Sequence, residues 1–501
     1  MAVGDKKTVV MGSDLAIPGG VATLDASGKL AEAQRPDYSI EQIEGLKNAL
    51  EGLADKETQN QIKRDTTNIK ETQDQIKRDT INIKETQDQI KWDTTNIKET
   101  GWTILAELRG QRPKRYGYRV KISEPDPYSR VEYLFDAVGM TPAHMNYDRQ
   151  EFDYGDWKDI WFVRDNYPCM VRPDGSEDYR LDPNDYTKRA DGGGASGVTD
   201  TAQTSNAMAA IPLVWVKRYQ EAGYQYVIFC EQQFDEGYKA YAHTRPDGTI
   251  SKVAYHAMFK GSLVDGKLRS IAGQKPQGFS NATQELSYAK ANGAKWTIET
   301  WSLYSLIADL LTLISKTTAS QAAFGQGHTE GGGSEANFLD CGTLKDRGQF
   351  FGYSDTAHAM KVFHIENFWG ERRDRLVGLI YTNGAFRAKM TPEGAGYNFT
   401  GDGYTAIGKG IIGQTENVGT GWQRDTEQTE YGRFPVGPLT GSDATFETDY
   451  LIFNNANVTV ACIGGARIGG SQCGARWLSV SDPAFSAMWG LGASLSLEDP
   501  S

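Results

Sequence analysis

The stretch "EFDYGDWKDIWFVRD" sets Glu151, Asp153, Asp156, Asp159 and Asp165 among aromatic side chains. Two carboxylates facing each other across a sugar can hydrolyse a glycosidic bond, one as acid and one as base or nucleophile. Carboxylate oxygens at this density could equally hold calcium. Neither chemistry is fixed by the spacing, and the plainer reading is an acidic, turn-rich surface edge. The six histidines (His144, His243, His256, His328, His358 and His364) have no i, i+4 partner and no nearby cysteine, the arrangements that mark a metal site. The five cysteines (Cys169, Cys230, Cys341, Cys462 and Cys473) are odd in number and scattered, which fits reduced, buried thiols rather than a disulfide framework. There is no G-x-S-x-G nucleophile elbow and no P-loop, and the glycines of "GDGYTAIGKGIIG" do not lie between a strand and a long helix. The sequence therefore predicts no catalytic residue, no metal site and no cofactor, in a protein that is not an enzyme.

A chain of 501 residues is long enough for two or more globular units with full cores. Its formal charge of −12 argues against nucleic acid as a partner, because phosphate needs a basic face. No stretch approaches 18 apolar residues and no apolar run follows a basic start, so neither a membrane span nor a secretory signal is expected.

Two long-range patterns organise the first hundred residues. "TLDASGKL", within residues 1–38, reads as a strand, a turn and a return, too small to make a core alone. From Ser39 the apolar spacing turns helical, and a 14-residue unit then repeats three times, beginning "ETQNQIKRDTTNIK". Ile62, Ile69, Ile76, Ile83, Ile90 and Ile97 recur every seven residues. With isoleucine at d, glutamine and threonine alternate at a, as in Gln73 and Thr80. A half-polar seam of this kind departs from the two-stranded zipper pattern and predicts a trimeric coiled-coil stalk over 39–100. Leu53 and Ile62 are nine residues apart, which implies a stutter between them.

Beyond "ETGW" the heptads stop and a large globular region begins. "RPDGS" (172–176), "RPDGT" (245–249) and "YTNGAF" (381–386) are hairpin signals, and "YQYVIF", "RLVGLIY", "DYLIF" and "VTVACI" read as strands. "NATQELSYAKANG" and "TWSLYSLIADLLTLIS" read as helices, the second with one apolar stripe suited to core packing. The glycine runs "DGGGASG" and "EGGGSEA" read as flexible surface loops. The expected fold class is α+β: a stalk followed by a loop-rich head, with residues 101–200 forming its N-terminal part and 201–501 its main domain.

Taken together, these features resemble a tail fibre of a tailed bacteriophage. "GGVATLDASGKLAEAQRP" resembles the short segment that many such proteins carry ahead of their shaft. The head resembles a C-type-lectin-like domain of the formylglycine-generating-enzyme type, on "IPLVWVKRY" (211–219), "WSLYSLIADLLTLISKTTASQAAFGQGH" (301–328) and the ending "GGARIGG…WGLGASLSL". That ending, 464–497, is similar to the variable region of the major tropism determinants, receptor-binding proteins diversified by retroelements. The resembling framework is Gly464, Gly465, Gly470, Ser471, Gly474, Arg476, Leu478, Val480, Trp489, Gly492 and Ala493.

The resemblance implies that the interleaved residues face outward and touch a bacterial surface receptor. These are Ala466, Arg467, Ile468, Gln472, Trp477, Ser479, Ser481, Asp482, Phe485 and Met488. It also implies a homotrimer, a place on the phage virion, and attachment to tail or baseplate proteins through the N-terminus, with no nucleic-acid or membrane partner. The Glu-Pro-Asn, Gln-Pro-Asp and Trp-Asn-Asp motifs of calcium-dependent sugar-binding lectins are absent, as is the close cysteine pair of the sulfatase-activating enzymes. Two other readings remain open: a tail-spike glycoside hydrolase using Asp153, Asp156 or Asp159, and a bacterial trimeric surface adhesin.

Overall fold

A computed structural model describes residues 56–108, 113–394, 396–408, 410–411, 418–455 and 458–499. The expected attachment segment (1–38) and the start of the expected stalk lie outside the described residues. The chain divides into two compact units, the first ending at Leu105 and the second beginning at Ala106.

In the first unit, Lys56–Leu108 form a single helix of 53 residues, about 80 Å long at 1.5 Å per residue. The helix passes the expected stalk boundary at residue 100, because Gly101 alone costs only about 1 kcal/mol and no proline lies between it and Leu108. Ile69, Ile76, Ile83 and Ile90 lie between 56% and 59% exposed along it. The hydroxyls of Thr66 and Thr80, at the alternate seam position, donate back to the carbonyls of Ile62 and Ile76 (both 2.7 Å). Each threonine's hydrogen-bonding need is thus met inside its own helix.

The second unit is mixed and sheet-rich, with few helices. A four-stranded sheet runs in the order Val131–Phe135, Arg115–Lys121, Tyr224–Cys230, Trp215–Glu221. A seven-stranded sheet has Asn206–Pro212 at its middle, between Tyr167–Val171 and Val253–Ala257, and takes Leu495–Leu497 in beside Val253–Ala257. The third sheet is built on Arg373–Thr382 and continues through Thr459–Ile463, Leu478–Val480 and Tyr450–Asn454 to Val418–Trp422 at its edge. Strands from before and after residue 200 share these sheets. Tyr167–Val171 pairs with Asn206–Pro212 and Arg115–Lys121 with Tyr224–Cys230, so backbone hydrogen bonds of the earlier strands are completed by the later ones. At the Arg373–Thr382/Ala385–Ala388 hairpin, Asn383 and Gly384 take φ of 49° and 79°, as a tight two-residue turn demands.

Trp301–Ser315 is the central helix, and every one of its fifteen residues is buried rather than only the expected stripe. Thr300 caps its start, its hydroxyl accepting from Leu303 N. A helix buried all round must find partners for any charge it carries. Asp309 does so: its carboxylate accepts from Arg218 Nε (2.7 Å), Arg476 Nη2 (2.5 Å) and the Tyr118 hydroxyl (3.2 Å). Burial pushes this carboxyl up, but Arg218, Arg476 and Arg433 outweigh burial and hold it below the usual range. Removing the carboxylate strands two buried guanidinium groups. Asp309→Ala is expected to lower unfolding free energy by about 3–5 kcal/mol in chemical denaturation, whereas Asp153→Asn, on the exposed acidic edge, changes it by less than about 0.5 kcal/mol.

His243 lies in a short 3₁₀ turn (Tyr241–His243), with neither ring nitrogen hydrogen-bonded among the described residues. Burial lowers its pKa to about 3. The unfolded state, with an ordinary histidine, then binds a proton that the folded state does not, so stability falls as pH drops below about 6.5. His243→Leu should remove about 2 kcal/mol of the stability lost between pH 7 and pH 5, read as the difference between the two proteins' denaturation curves at each pH.

Candidate binding surface

The acidic stretch does not assemble into a facing pair. Asp153 Oδ1 accepts from Gly155 N (2.9 Å) in a local turn, and Asp156 Oδ2 accepts from Thr141 N (2.7 Å), tying two segments fifteen residues apart. The hydrogen bonds from Thr141 lower the Asp156 pKa, the direction opposite to that of a proton-donating acid. Trp157, Trp161 and Phe162 are core residues and offer no sugar platform. Among the described residues no group of three or more His, Cys, Asp or Glu gathers as a metal site would. All five cysteines are buried and unpaired.

The closing segment is anchored from below by the central helix. Tyr304 donates to Ala475 O (2.9 Å), and Arg476 reaches Asp309 while its backbone N donates to Asp449 Oδ2 (2.8 Å). Gly465 sits at φ 76°, with the Cys473 sulfur where a Cβ would go. At Gly492 a Cβ would strike the Arg372 guanidinium. Both framework glycines thus have steric reasons.

Of the ten side chains expected to face outward, Phe485 (80%) and Ile468 (57%) are strongly exposed, and Gln472, Ser481, Asp482 and Met488 are half-buried. The other four correct the expectation: Ala466, Arg467, Trp477 and Ser479 are buried. Leu478–Val480 is an interior strand, and its alternation does turn Trp477 and Ser479 away from Leu478 and Val480. That second face is itself covered. Trp477 packs with Cys462 and Leu491 and is flanked by Tyr450, Ile452 and Met488, while Ser479 hydrogen-bonds Ser481. Arg467 turns inward to donate to Glu330 O (3.0 Å) and Gly332 O (3.1 Å), fastening the "EGGGSEA" loop. Trp489, part of the resembling framework, is half-buried, beside Phe338 and against Gly333.

Residues outside the segment complete this surface. Phe279 N donates to Met488 O (3.0 Å) and Ala282 N to Ala484 O (2.9 Å), so segments 279–282 and 484–488 lie side by side. The fully buried Arg375 ties both together, donating to Ser280 O (2.8 Å) and Ser486 O and pairing with Glu285 at 2.5 Å. Glu285 belongs to the Ala282–Lys290 helix, whose cap is Asn281 with a reciprocal Gln284 bond. Phe279 is 60% exposed on this platform. The sequence does not single it out, since a phenylalanine two residues before the Asn281 cap carries no local signal of exposure.

No protein-family model matches this chain, and no curated protein matches it.

The two aromatic residues of the segment expected to face outward should therefore behave oppositely. Trp477→Ala empties a core site and is expected to lower stability by about 3–5 kcal/mol. Phe485→Ala removes a solvated ring and should stay within about 0.5 kcal/mol, both measured by thermal and chemical unfolding of the full chain.

Proposed function

We propose that the chain is a receptor-binding protein of a bacteriophage tail fibre. In this reading it is a homotrimer joined through the long helix, carried on the virion, and attached to tail or baseplate proteins through residues 1–38. Its C-type-lectin-like head touches a bacterial surface receptor with the closing segment and takes no part in catalysis. The observation that carries the reading is the contrast within that segment: a backbone fixed by buried arginines and close-packed glycines, presenting Phe485 and Ile468 to solvent. Exposed aromatic and aliphatic side chains on a rigid support suit an interaction surface. Ile69, Ile76, Ile83 and Ile90, exposed in a single chain, give the trimer its motive, since a seam of this spacing is buried by partner helices. The acidic net charge gives nucleic acid no basic face. No helix among the described residues is long and apolar enough to cross a membrane. The glycoside-hydrolase alternative gains no support from Asp153 and Asp156, whose carboxylates accept from the backbone of Gly155 and Thr141.

The test is binding of the purified, fluorescently labelled full chain to intact cells across a panel of bacterial strains. Saturable binding to a subset of strains is expected, lost in the double variant Ile468→Ser/Phe485→Ser with no change in melting temperature. Ile76→Asp/Ile83→Asp should convert a trimer to monomer in sedimentation and weaken binding through lost avidity. Binding to no strain would overturn the adhesin reading, and an unchanged oligomer would move assembly away from the helix.

A further inference from the structure

The geometry points to long helices that associate parallel and in register, with Asp65, Asp79 and Asp93 of each copy paired to Lys70, Lys84 and Lys98 of its neighbour, and with glutamine layers fixing the register. This rests on the homotrimer reading and adds to it the direction of the chains and the residues that set it.

Charge complementarity identifies the partner as a further copy of this chain. With isoleucine at d, position e is lysine in every heptad from Lys63 to Lys98, and position g alternates aspartate with threonine, as in Asp65 and Thr72. In parallel helices the g residue of one lies beside the e residue of the next heptad on its neighbour. Asp65 then meets Lys70, Asp79 meets Lys84 and Asp93 meets Lys98 of another copy. Antiparallel helices instead set e against e, so lysine would face lysine in every heptad, and like charges reject that partner. The groups needed for the parallel pairs are open. Lys70 and Lys84 are exposed and make no ion pair among the described residues. Asp65 and Asp79 accept from Gln61 (3.0 Å) and Gln75 (2.8 Å) through Oδ1 alone, which leaves Oδ2 for a neighbour.

The register follows from the two polar residue types at position a. Thr66 and Thr80 give their hydroxyl protons to the carbonyls of Ile62 and Ile76 in their own helix. Gln73 and Gln87 are exposed, and their amides make no hydrogen bond among the described residues. An amide carries donors and an acceptor together, so glutamines of one layer can satisfy one another when the copies are level. A copy slipped by one heptad brings a threonine, its proton already given away, into each glutamine layer, and a buried amide loses a partner. A slip of a whole 14-residue repeat restores the layers but leaves one of the three repeats uncovered.

The experiment uses the full chain, in sedimentation and in pulsed electron-spin distance measurements. Spin labels go on Arg64→Cys or Arg78→Cys, both at the outward f position, while the five native cysteines are buried and stay unlabelled. Both sites should give the same single short distance. Unequal distances at the two sites would mean antiparallel helices, and a second, longer distance at both would mean a slipped register; either overturns the inference. Asp65→Lys/Asp79→Lys/Asp93→Lys should raise the concentration at which the assembly dissociates about tenfold or more in low salt. Adding Lys70→Asp/Lys84→Asp/Lys98→Asp to that chain should restore it, and in about 1 M salt the difference should fade. No change in the first variant, or no recovery in the second, would overturn the Asp–Lys pairing and leave the homotrimer reading standing. Gln73→Ile/Gln87→Ile should tighten association yet admit slipped copies, seen as added longer distances. A single unchanged short distance in that variant would overturn the glutamine register. A wild-type chain that sediments as a monomer would overturn the homotrimer reading itself, and this inference with it.

Discussion

Asp309 lies in the middle of a helix with no solvent-facing side, and its carboxylate is shared by arginines from two distant parts of the chain. Arg218 comes from the four-stranded sheet and Arg476 from the closing segment. A second buried carboxylate, Glu447, takes Arg433 at 3.0 Å and Arg130 at 3.4 Å. Taking so many charges from water is costly, and a pair of this kind adds little net stability over an apolar core. What it does add is registry. Neither sheet can slide relative to the helix without leaving a buried charge unpaired, a loss far larger than that of any single apolar contact. The closing segment crosses this junction, with Tyr304 and Asp309 fixing Ala475 and Arg476.

From that junction outward, rigidity is passed on by arginines that bond to main-chain carbonyls. Arg372, fully buried, donates to Gly261 O (3.0 Å) and Ala493 O (2.9 Å) while pairing with Asp374 at 2.8 Å. Burial raises the Asp374 carboxyl, but Lys260, Arg372 and Ser494 bring it to about 2, so the pair stays ionised across any working pH. Arg375 does the same for the carbonyls of Ser280 and Ser486, and Arg467 for those of Glu330 and Gly332. An irregular loop has no ladder to satisfy its carbonyls, and a planar guanidinium with several donors can serve two or three at once. The head can therefore hold long non-repetitive loops in one shape.

Much of this architecture was legible in the sequence where a local rule decides the outcome. Asn383-Gly384 specified its hairpin, Asn281 with Gln284 its helix start, and the seven-residue isoleucine spacing a continuous helix. Where the outcome depends on which surfaces meet, local rules were silent. A strand's alternation shows that Trp477 and Leu478 face opposite ways, yet not that Leu491 returns to cover Trp477. An arginine in a glycine-rich stretch reads as a surface charge, and only the position of the Glu330–Gly332 carbonyls turns Arg467 inward. Phe279 is invisible for the same reason, since its partner segment is some two hundred residues away.

The resulting surface separates two roles by depth rather than by position along the chain. Ala466, Arg467, Trp477 and Ser479 have no room or no exposed area, so their substitution is felt first in folding. Ile468, Gln472 and Phe485 lie above the clamps and touch little that the core needs, so their chemistry can change while the backbone does not. Ser481, Asp482 and Met488 stand between, each holding one internal contact while showing part of its side chain. Three of the ten interleaved positions can thus change their side chains without disturbing the backbone. The four buried ones are fixed by the packing beneath them.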